Sequence, residues 1–363
     1  MIITRQLKVT LSILLLVSFE ALALDISNGT VVGRHIFGLS HDYQGDPLMR
    51  EMDPVIYNSN SAPHILVKDD MFFQVNVFNE NIGAIYITSL NRKNSKPVDT
   101  SLIKASNVQG ISYPAFSTKS SWGTVLFSES VNVDGAKPNE FVNKYKPYFK
   151  NNSDMVKPYN YGWVGEVILL DKHANSKVIK NYAVGRVMAD QIIAMPDDKT
   201  YYLLDSSKGG RLYAFISDQP QSLAKGNLYA VDLQKGSLKY KMLGNIPALK
   251  MKFKLRKAKY SSFLDSKKPE SKVCSSGYKY IFTVYGDECL KVKKKNRKYV
   301  GQFEPVRASA LLGVSDWAKT IKNIKYDTRK AQLELVKRDG SSMHISISKE
   351  TQFNSKFIAE LIQ

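Results

Sequence analysis

The apolar residues of this 363-residue chain occur in short runs, and each run is bounded by glycine, asparagine, aspartate or serine. The runs are rich in Val, Ile, Tyr and Phe and are too short for most helices, which is the pattern of β-strands. Helices are favoured only at 305–312 and at 355–362. The chain is therefore expected to be all-β, with strands at 71–78, 84–88, 125–127, 200–204, 211–215, 227–231, 333–336 and 344–347.

A glycine that precedes an apolar strand recurs along the chain, at Gly83, Gly123, Gly162, Gly210 and Gly226. The first two intervals are 40 and 39 residues, close to the length of one four-stranded propeller blade. Residues 24–363 are therefore predicted to form a single β-propeller domain of about six blades. A double β-sandwich fits the strand content as well, so this alternative stays open.

The first 23 residues have the pattern of a secretory signal peptide. Arg5 and Lys8 precede an apolar run, and a small-residue cleavage pattern ends at Ala23. The apolar run is too short to span a bilayer as a resident helix. We therefore expect residues 1–23 to be cleaved, and the mature protein to be a periplasmic or secreted monomer with no transmembrane segment.

The chain has only two cysteines, Cys274 and Cys289. In an oxidising compartment they are expected to form a disulfide that closes a short loop. A metal-binding or nucleophilic thiol is the alternative, and it would need histidine or acidic neighbours at ligand spacing. Asp287 and Glu288 are close in sequence, but no histidine is. The prediction is a structural disulfide.

The chain is strongly basic, with 52 Lys and Arg residues against 33 Asp and Glu residues and a formal net charge of +19. A surplus of this size favours anionic partners, either a phosphorylated small molecule or a polyanion. The abundance of Lys, Asn, Ile and Tyr, which is typical of AT-rich genomes, is the alternative explanation. Nucleic acid is not expected as a partner, because the protein is predicted to be exported.

Two basic stretches lie near the cysteines, in a segment, 250–298, that differs in character from the rest of the chain. Lys250–Lys257 alternates basic and apolar side chains, which predicts a strand with its cations on one face. Lys291–Lys298 is a second basic run directly after Cys289. Together they predict a basic hairpin, stapled by the disulfide and inserted into the domain. A solvated edge strand protected by lysines is the alternative to a polyanion-binding surface.

Several phrases of the sequence resemble one known family. Residues 121–130, Ser-Trp-Gly-Thr-Val-Leu-Phe-Ser-Glu-Ser, are similar to the Trp-Gly-Thr-x-Leu-x-Cys-Glu-Glu motif of the PhoX-type alkaline phosphatases. Residues 161–167, Tyr-Gly-Trp-Val-Gly-Glu-Val, are similar to a Tyr-Gly-Tyr-Val-x-Glu-Ile strand of that family. Further similar phrases follow in the same order, at 185–190, 202–215 and 303–313. The resemblance covers about residues 120–330 and is weak at residues 25–115 and 237–298.

The resemblance implies a β-propeller and an exported phosphomonoesterase. Its site would hold ferric and calcium ions that activate an oxygen nucleophile and neutralise the phosphoryl oxygens. Matching positions make Glu129, Asp190, Asp205 and Glu304 the candidate metal ligands. Arg307 matches an arginine of the family and is the candidate phosphate-binding residue. A structural ion pair between Arg307 and Glu304 explains the same match equally well.

This chain departs from the family pattern at several of the implied ligands. Ser128 stands where the family has an iron-binding cysteine, Ser130 and Ser206 replace acids, Ala189 replaces a histidine, and Lys322 falls where an acid belongs. The surviving acids carry too little negative charge for a full cluster of ferric and calcium ions. A reduced or modified site is therefore expected, with calcium as the candidate ion and iron only by resemblance.

Two functions from different classes follow. The first is an exported PhoX-like phosphatase, a phosphomonoester hydrolase with a modified metal site. The alternative is a non-catalytic β-propeller that binds a polyanion or a partner protein through the basic segment. A calcium-binding hydrolase of lactonase type is a third hypothesis. Whether the protein is an enzyme is left open by the sequence.

Overall fold

The computed structural model describes residues 64–79, 83–93, 97–131, 133–149 and 151–347, and the backbone of 353–354. The predicted signal peptide and the predicted helix at 355–362 lie outside these residues. The described part is mostly β, but it also contains helices that the sequence did not predict, so the expected all-β fold holds only in part. The first sheet is an antiparallel meander of β1 (His64–Lys68), β2 (Met71–Phe78), β3 (Ala84–Leu90) and β4 (Pro97–Leu102).

The next two sheets contain most of the predicted site residues. A second four-stranded antiparallel meander contains β5 (Pro114–Lys119), β6 (Val125–Glu129), β7 (Val164–Leu169) and β8 (Ser176–Lys180), with α1 (Pro138–Tyr145) between β6 and β7. A third sheet continues with β9 (Gln191–Ala194), β10 (Thr200–Leu204), β11 (Leu212–Ser217), β12 (Gly226–Gln234) and β13 (Ser237–Gly244).

Helices and two small sheets follow. Helices α2 (Ala248–Leu255) and α3 (Tyr260–Phe263) precede a sheet of β14 (Leu264–Lys267), β15 (Lys279–Thr283) and β16 (Gly286–Val292), in the order β14-β16-β15. Helices α4 (Arg297–Phe303) and α5 (Pro305–Leu311) come next, as predicted for α5. The last sheet contains β17 (Ile321–Asp327), β18 (Gln332–Lys337) and β19 (Ser342–Ser346), and β20 (Phe353–Asn354) pairs in parallel with β13.

The two four-stranded meanders have the size of propeller blades, but no closed ring of blades is found among the described residues. The largest apolar cluster joins the third sheet to the helices, and its aromatic members include Trp163, Phe263 and Phe303. The rings of Phe263 and Phe303 stack at 4.7 Å between centroids. Helices α3 and α4 are thereby held against the sheets that carry the site. The single-domain boundary at 24–363 stays a prediction.

The structure contains the predicted disulfide between Cys274 and Cys289. It ties the loop before β15 to β16, and Cys289 itself pairs with Lys267 of β14 and Tyr280 of β15. The bond therefore staples the small three-stranded sheet. No described helix is long and apolar enough to cross a membrane.

The predicted basic hairpin is wrong. Lys250–Lys257 lies mostly in helix α2, and the second basic run leads from β16 through a 3-10 turn into α4. Met251 and Leu255 are buried, whereas Phe253 between them is exposed, so the buried positions repeat every four residues. Positions 251 and 255 are apolar both in the alternating pattern of a strand and in the four-residue repeat of a helix. In addition, Leu, Met and Lys are good helix formers. The same residues therefore fit both patterns, and packing selects the helix.

Candidate functional site

Glu129, a predicted metal ligand, ends strand β6 and is completely buried. One carboxylate oxygen accepts hydrogen bonds from the backbone N–H of Ser112 (2.9 Å) and from the Lys180 ammonium (2.9 Å). The other oxygen accepts from the backbone N–H groups of Gly162 (3.0 Å) and Trp163 (3.1 Å). Gly162 has a φ of +91°, which glycine adopts without strain and which lets both N–H groups turn towards one oxygen. The carboxylate therefore has four donors.

Lys180 supplies the positive charge that balances Glu129. Its side chain is fully buried at the end of β8, and its ammonium also donates to the Asn160 carbonyl at 2.8 Å. The ammonium lies over the Tyr161 ring, 4.8 Å from the centroid. Burial lowers the pKa of Lys180, and the adjacent Glu129 carboxylate opposes this shift. Sequence reasoning missed Lys180, because nothing in its local pattern indicates a buried cation.

Two of the altered family positions contact each other directly. The Ser128 hydroxyl donates a hydrogen bond of 2.6 Å to the backbone carbonyl of Ala189. Ser128 stands at the position of the cysteine that the resemblance makes an iron ligand, and Ala189 stands at the position of the histidine. Both residues are buried. The Ser128 hydroxyl therefore already donates its proton in a hydrogen bond within the protein.

Glu304, the second predicted ligand, lies between α4 and α5 and is buried. Its oxygens accept hydrogen bonds from the Tyr159 hydroxyl and from Nη1 of Arg307 (2.8 Å). Nη1 of Arg186 lies 4.0 Å from the oxygen that Tyr159 contacts. The pairing of Arg307 with Glu304 is the structural alternative that the sequence left open.

Arg307 has further acidic partners. Its Nε and Nη2 atoms bind both carboxylate oxygens of Glu288 (2.8 and 2.9 Å), and Nη2 also donates to Asp134 at 2.9 Å. The guanidinium lies over the Tyr285 ring, 4.1 Å from its centroid, and also over Tyr260. Burial by itself lowers the pKa of Arg307, but the acids more than reverse this, so its pKa lies well above the usual value. The predicted phosphate contact of Arg307 stays a prediction.

We name this group of Glu304, Arg307, Arg186, Glu288 and Asp134 the ionic centre. Within it, Nε and Nη2 of Arg186 donate to the backbone carbonyls of Tyr161 and Val133. Nη1 of Arg186 is buried and has no hydrogen-bond partner among the described residues.

A cleft of about 320 Å³ borders the ionic centre. It is lined by Asp134 and Tyr285, which contact Arg307, and by the exposed cations Lys137 and Lys144. Its volume is within the range of small-ligand pockets. The cleft therefore places two cations, together with the exposed acid Glu140, beside the ionic centre.

Asp190 and Asp205 are the two predicted ligands that the structure brings together. Asp190 directly precedes β9 and Asp205 directly follows β10, and these strands pair with Gln191 opposite Leu204. Asp190 accepts hydrogen bonds of 2.7 Å from the backbone N–H and the hydroxyl of Ser206 on one oxygen. Asp205 accepts from the N–H and hydroxyl of Ser207 on one oxygen. No described donor binds the second oxygen of either carboxylate.

The environment of Asp205 makes it a weaker acid. Burial raises its pKa to about 6, the Ser207 hydrogen bonds oppose this, and the negative charge of Asp190 adds to the increase. Arg338 lies close by and donates to the backbone carbonyl of Ser206 at 2.9 Å. Ser206, which stands where the family has an acid, thus supports Asp190 through a hydrogen bond.

The cations that surround Glu129 and Glu304 do not fit the cluster of ferric and calcium ions that the resemblance implies. Lys180 already neutralises Glu129, and Arg307 already neutralises Glu304. In the part of the chain that the structure describes, no group of three or more His, Cys, Asp or Glu side chains is arranged to hold a metal ion. The predicted ligands and the predicted calcium stay predictions.

A second candidate site lies on the surface, where α2 meets the residues that follow β16. The Lys254 ammonium donates to the Asn296 side-chain oxygen at 2.8 Å, which joins the two basic stretches. Lys254 and Lys298 both lie over the Tyr299 ring, 5.2 and 5.3 Å from its centroid. We define the basic face as nine of the cations of these two stretches: Lys250, Lys252, Lys254, Arg256, Lys257, Lys294, Lys295, Arg297 and Lys298.

The basic face is not neutralised. No Asp or Glu occurs at positions 233–264 or 289–303. Lys293, which belongs to the second stretch but not to the basic face, forms an ion pair with Asp265 at 3.8 Å. Burial and the neighbouring charges of Lys295 and Lys298 lower the pKa of Lys254. The cations of this surface therefore repel one another, and none of them forms an ion pair with an acid among the described residues.

No protein-family model matches the chain, and no curated protein is significantly similar to it. Among solved structures, the fold is similar to that of Pseudomonas fluorescens PhoX in complex with vanadate, a transition state analogue, at 12% identity and a TM-score of 0.42. That match covers 76% of this chain and 57% of the PhoX chain, so this chain spans little more than half of that protein. A candidate 6-phosphogluconolactonase from Bacteroides uniformis matches at 11% identity and a TM-score of 0.24, over 78% of this chain and 79% of the other.

These values show a structural likeness to a PhoX phosphatase without support from a family model or a sequence relative. Function therefore has to be argued from the residues of this chain.

Proposed function

We propose that the protein is an exported, non-catalytic binding protein that holds anionic ligands on its basic face. The observation that carries this proposal is the hydrogen bond from Lys254 to Asn296, which joins two basic stretches that themselves contain no Asp or Glu. An uncompensated cluster of exposed cations attracts polyanions over a distance set by the ionic strength. The neutralised buried acids fit this reading, because Lys180 and Arg307 occupy the oxygens that catalysis by metal would require.

A solution binding experiment tests the proposal, with long-chain polyphosphate as the probe. We expect affinity to fall steeply as salt is raised. Replacing Lys250, Lys252, Lys294 and Lys295 by Gln is expected to weaken binding at least about tenfold, since each cation at an anionic surface contributes up to ~1 kcal/mol.

A matched control removes the same charge elsewhere. Lys172, Lys177, Lys325 and Lys330 are exposed and lie outside the basic face. Their combined replacement by Gln is expected to leave affinity within about twofold, because distant exposed charges are screened by salt. Equal losses in both quadruple variants, or salt-independent binding, would overturn the proposal.

A second candidate function is the phosphomonoester hydrolase that the resemblance implies, on the β-propeller scaffold of about six blades. The observation that favours it is the Asp190–Asp205 pair, whose outer oxygens accept no hydrogen bond from described residues. Calcium takes about six to eight oxygen ligands, so two carboxylates would supply only part of a site.

The second candidate is tested by elemental analysis of protein purified without chelators, together with assays on a phosphomonoester and on a lactone. Bound calcium and phosphomonoester turnover that Asp190→Asn and Asp205→Asn abolish would support it. Asp197→Asn, in the turn between β9 and β10, is the control. Hydrolysis of the lactone alone would support the lactonase hypothesis. If neither substrate is turned over, both the phosphatase and the lactonase hypotheses are wrong.

A further inference from the structure

Helix α2 exposes two large apolar side chains at helical spacing. Leu249 is 65% exposed and Phe253 is 58% exposed, and they are four positions apart, which places them on one side of the helix. The other exposed large apolar side chains of the described residues each lie on a different segment, so Leu249 and Phe253 are the pair that shares an element. Isolated exposed apolar residues are common, but an adjacent pair marks an interaction surface.

The pair is flanked by cations on both sides. The buried side of α2 carries Met251 and Leu255, opposite the exposed pair. At 100° per residue, Lys252 and Arg256 fall on one flank of the pair, and Lys250 and Lys254 fall on the other flank. The Arg256 guanidinium lies over the Phe253 ring, 5.3 Å from its centroid.

This arrangement matches the requirements of an anionic membrane surface. A helix that lies on a bilayer places apolar side chains among the headgroups and keeps its cations at the level of the lipid phosphates. Long basic side chains can extend outward while their alkyl stems cover apolar surface. A soluble polyanion would engage the cations but would leave Leu249 and Phe253 in water.

We propose that helix α2 docks the protein onto an anionic phospholipid bilayer, with Leu249 and Phe253 entering the headgroup region. This inference rests on the proposed anion-binding function and specifies its ligand. The flanking cations of α2 contact lipid phosphates, and Lys294, Lys295 and Lys298 extend the same charge complementarity beside the helix. The ionic and the apolar contributions to bilayer binding can be measured separately, because salt screens the charges and does not screen the apolar contact.

Vesicle co-sedimentation of the full mature chain tests the inference. The vesicles contain phosphatidylcholine with or without phosphatidylglycerol, and polyphosphate binding is measured in parallel. We expect binding only to the phosphatidylglycerol vesicles. The double variant Leu249→Ser/Phe253→Ser is expected to lower vesicle partitioning at least about tenfold, because it removes the two apolar side chains that enter the headgroup region. The same variant should leave polyphosphate affinity unchanged.

Leu170→Ser is the matched control, because Leu170 is 47% exposed and follows β7. It should bind vesicles like the unmodified protein. Both variants replace exposed side chains, and circular dichroism verifies their folding. Vesicle binding that survives the double variant, or its absence in the unmodified protein, overturns the bilayer inference. Polyphosphate binding decides separately on the proposed function, so the two failures are distinguishable.

Discussion

The Lys180 ammonium lies 2.9 Å from a carboxylate oxygen of Glu129, and both side chains are completely buried. The pair lies where the family resemblance implies a metal ligand. A buried carboxylate must be balanced by positive charge, and either a metal ion or a buried lysine can supply it. In this chain the lysine does so, and Arg307 has the same role beside Glu304.

Removal of the Lys180 charge is expected to destabilise the protein strongly. Lys180→Met leaves Glu129 buried without its counter-charge, and breaking such a pair costs about 3–5 kcal/mol. Urea unfolding measures this loss. Lys177→Met is the control, because Lys177 lies on the same strand but is exposed. A loss below about 1 kcal/mol in Lys180→Met would show that the pair is not structurally important.

Arg307 is expected to be irreplaceable by lysine. Arg307→Lys keeps the charge, but an ammonium cannot reproduce the two parallel hydrogen bonds to Glu288 together with those to Glu304 and Asp134. We expect a loss of about 2–4 kcal/mol in the free energy of unfolding, because buried acceptors lose charged donors. Thermal and urea unfolding measure it. Arg329→Lys, at an exposed position, should change nothing.

Asp205 is expected to make stability depend on pH. Its pKa rises from 3.8 to about 6 on folding, so the folded state holds the proton more tightly than the unfolded state. The contribution of Asp205 to stability is therefore fully present below pH 3.8 and is lost as the pH rises through about 6. At pH values well above 6, the ionised Asp205 lowers the free energy of unfolding by on the order of 2–3 kcal/mol.

Asp205→Asn removes this cost while its amide oxygen can still accept from Ser207. The variant should be more stable than the unmodified protein near pH 8 and almost equal to it near pH 4, with chelator present. Urea unfolding at both pH values measures the difference. Glu270→Gln, in an exposed loop, is the control. Equal effects of Asp205→Asn at both pH values would contradict the assignment.

The disulfide between Cys274 and Cys289 is expected to contribute about 3 kcal/mol, because it closes a short loop in the unfolded chain. The double variant Cys274→Ser/Cys289→Ser should lose this amount in urea unfolding. Reductant should lower the stability of the unmodified protein by a similar amount and leave the double variant unaffected. A reductant effect on the double variant would point to another cause.

The short apolar runs determined the local structure well. Strands β2 and β10 have the predicted bounds, helix α5 lies within the predicted 305–312, and the disulfide is present. These features depend on spacing and on turn residues, which are properties of neighbouring positions. The basic stretch at 250–257 was mispredicted because alternation and helical spacing share positions, so local pattern could not separate them.

The chemistry of the site was decided by tertiary structure. The sequence indicated that Glu129, Asp190, Asp205 and Glu304 are candidate ligands, but not which of them meet or what surrounds them. Asp190 and Asp205 meet because β9 and β10 pair, whereas Glu129 meets Lys180 across 51 residues of sequence. A buried charge is balanced by whichever groups the fold brings within a few ångströms, and this distance is not encoded in local spacing. Sequence alone therefore indicated the acids, and folding decided that lysine and arginine neutralise two of them.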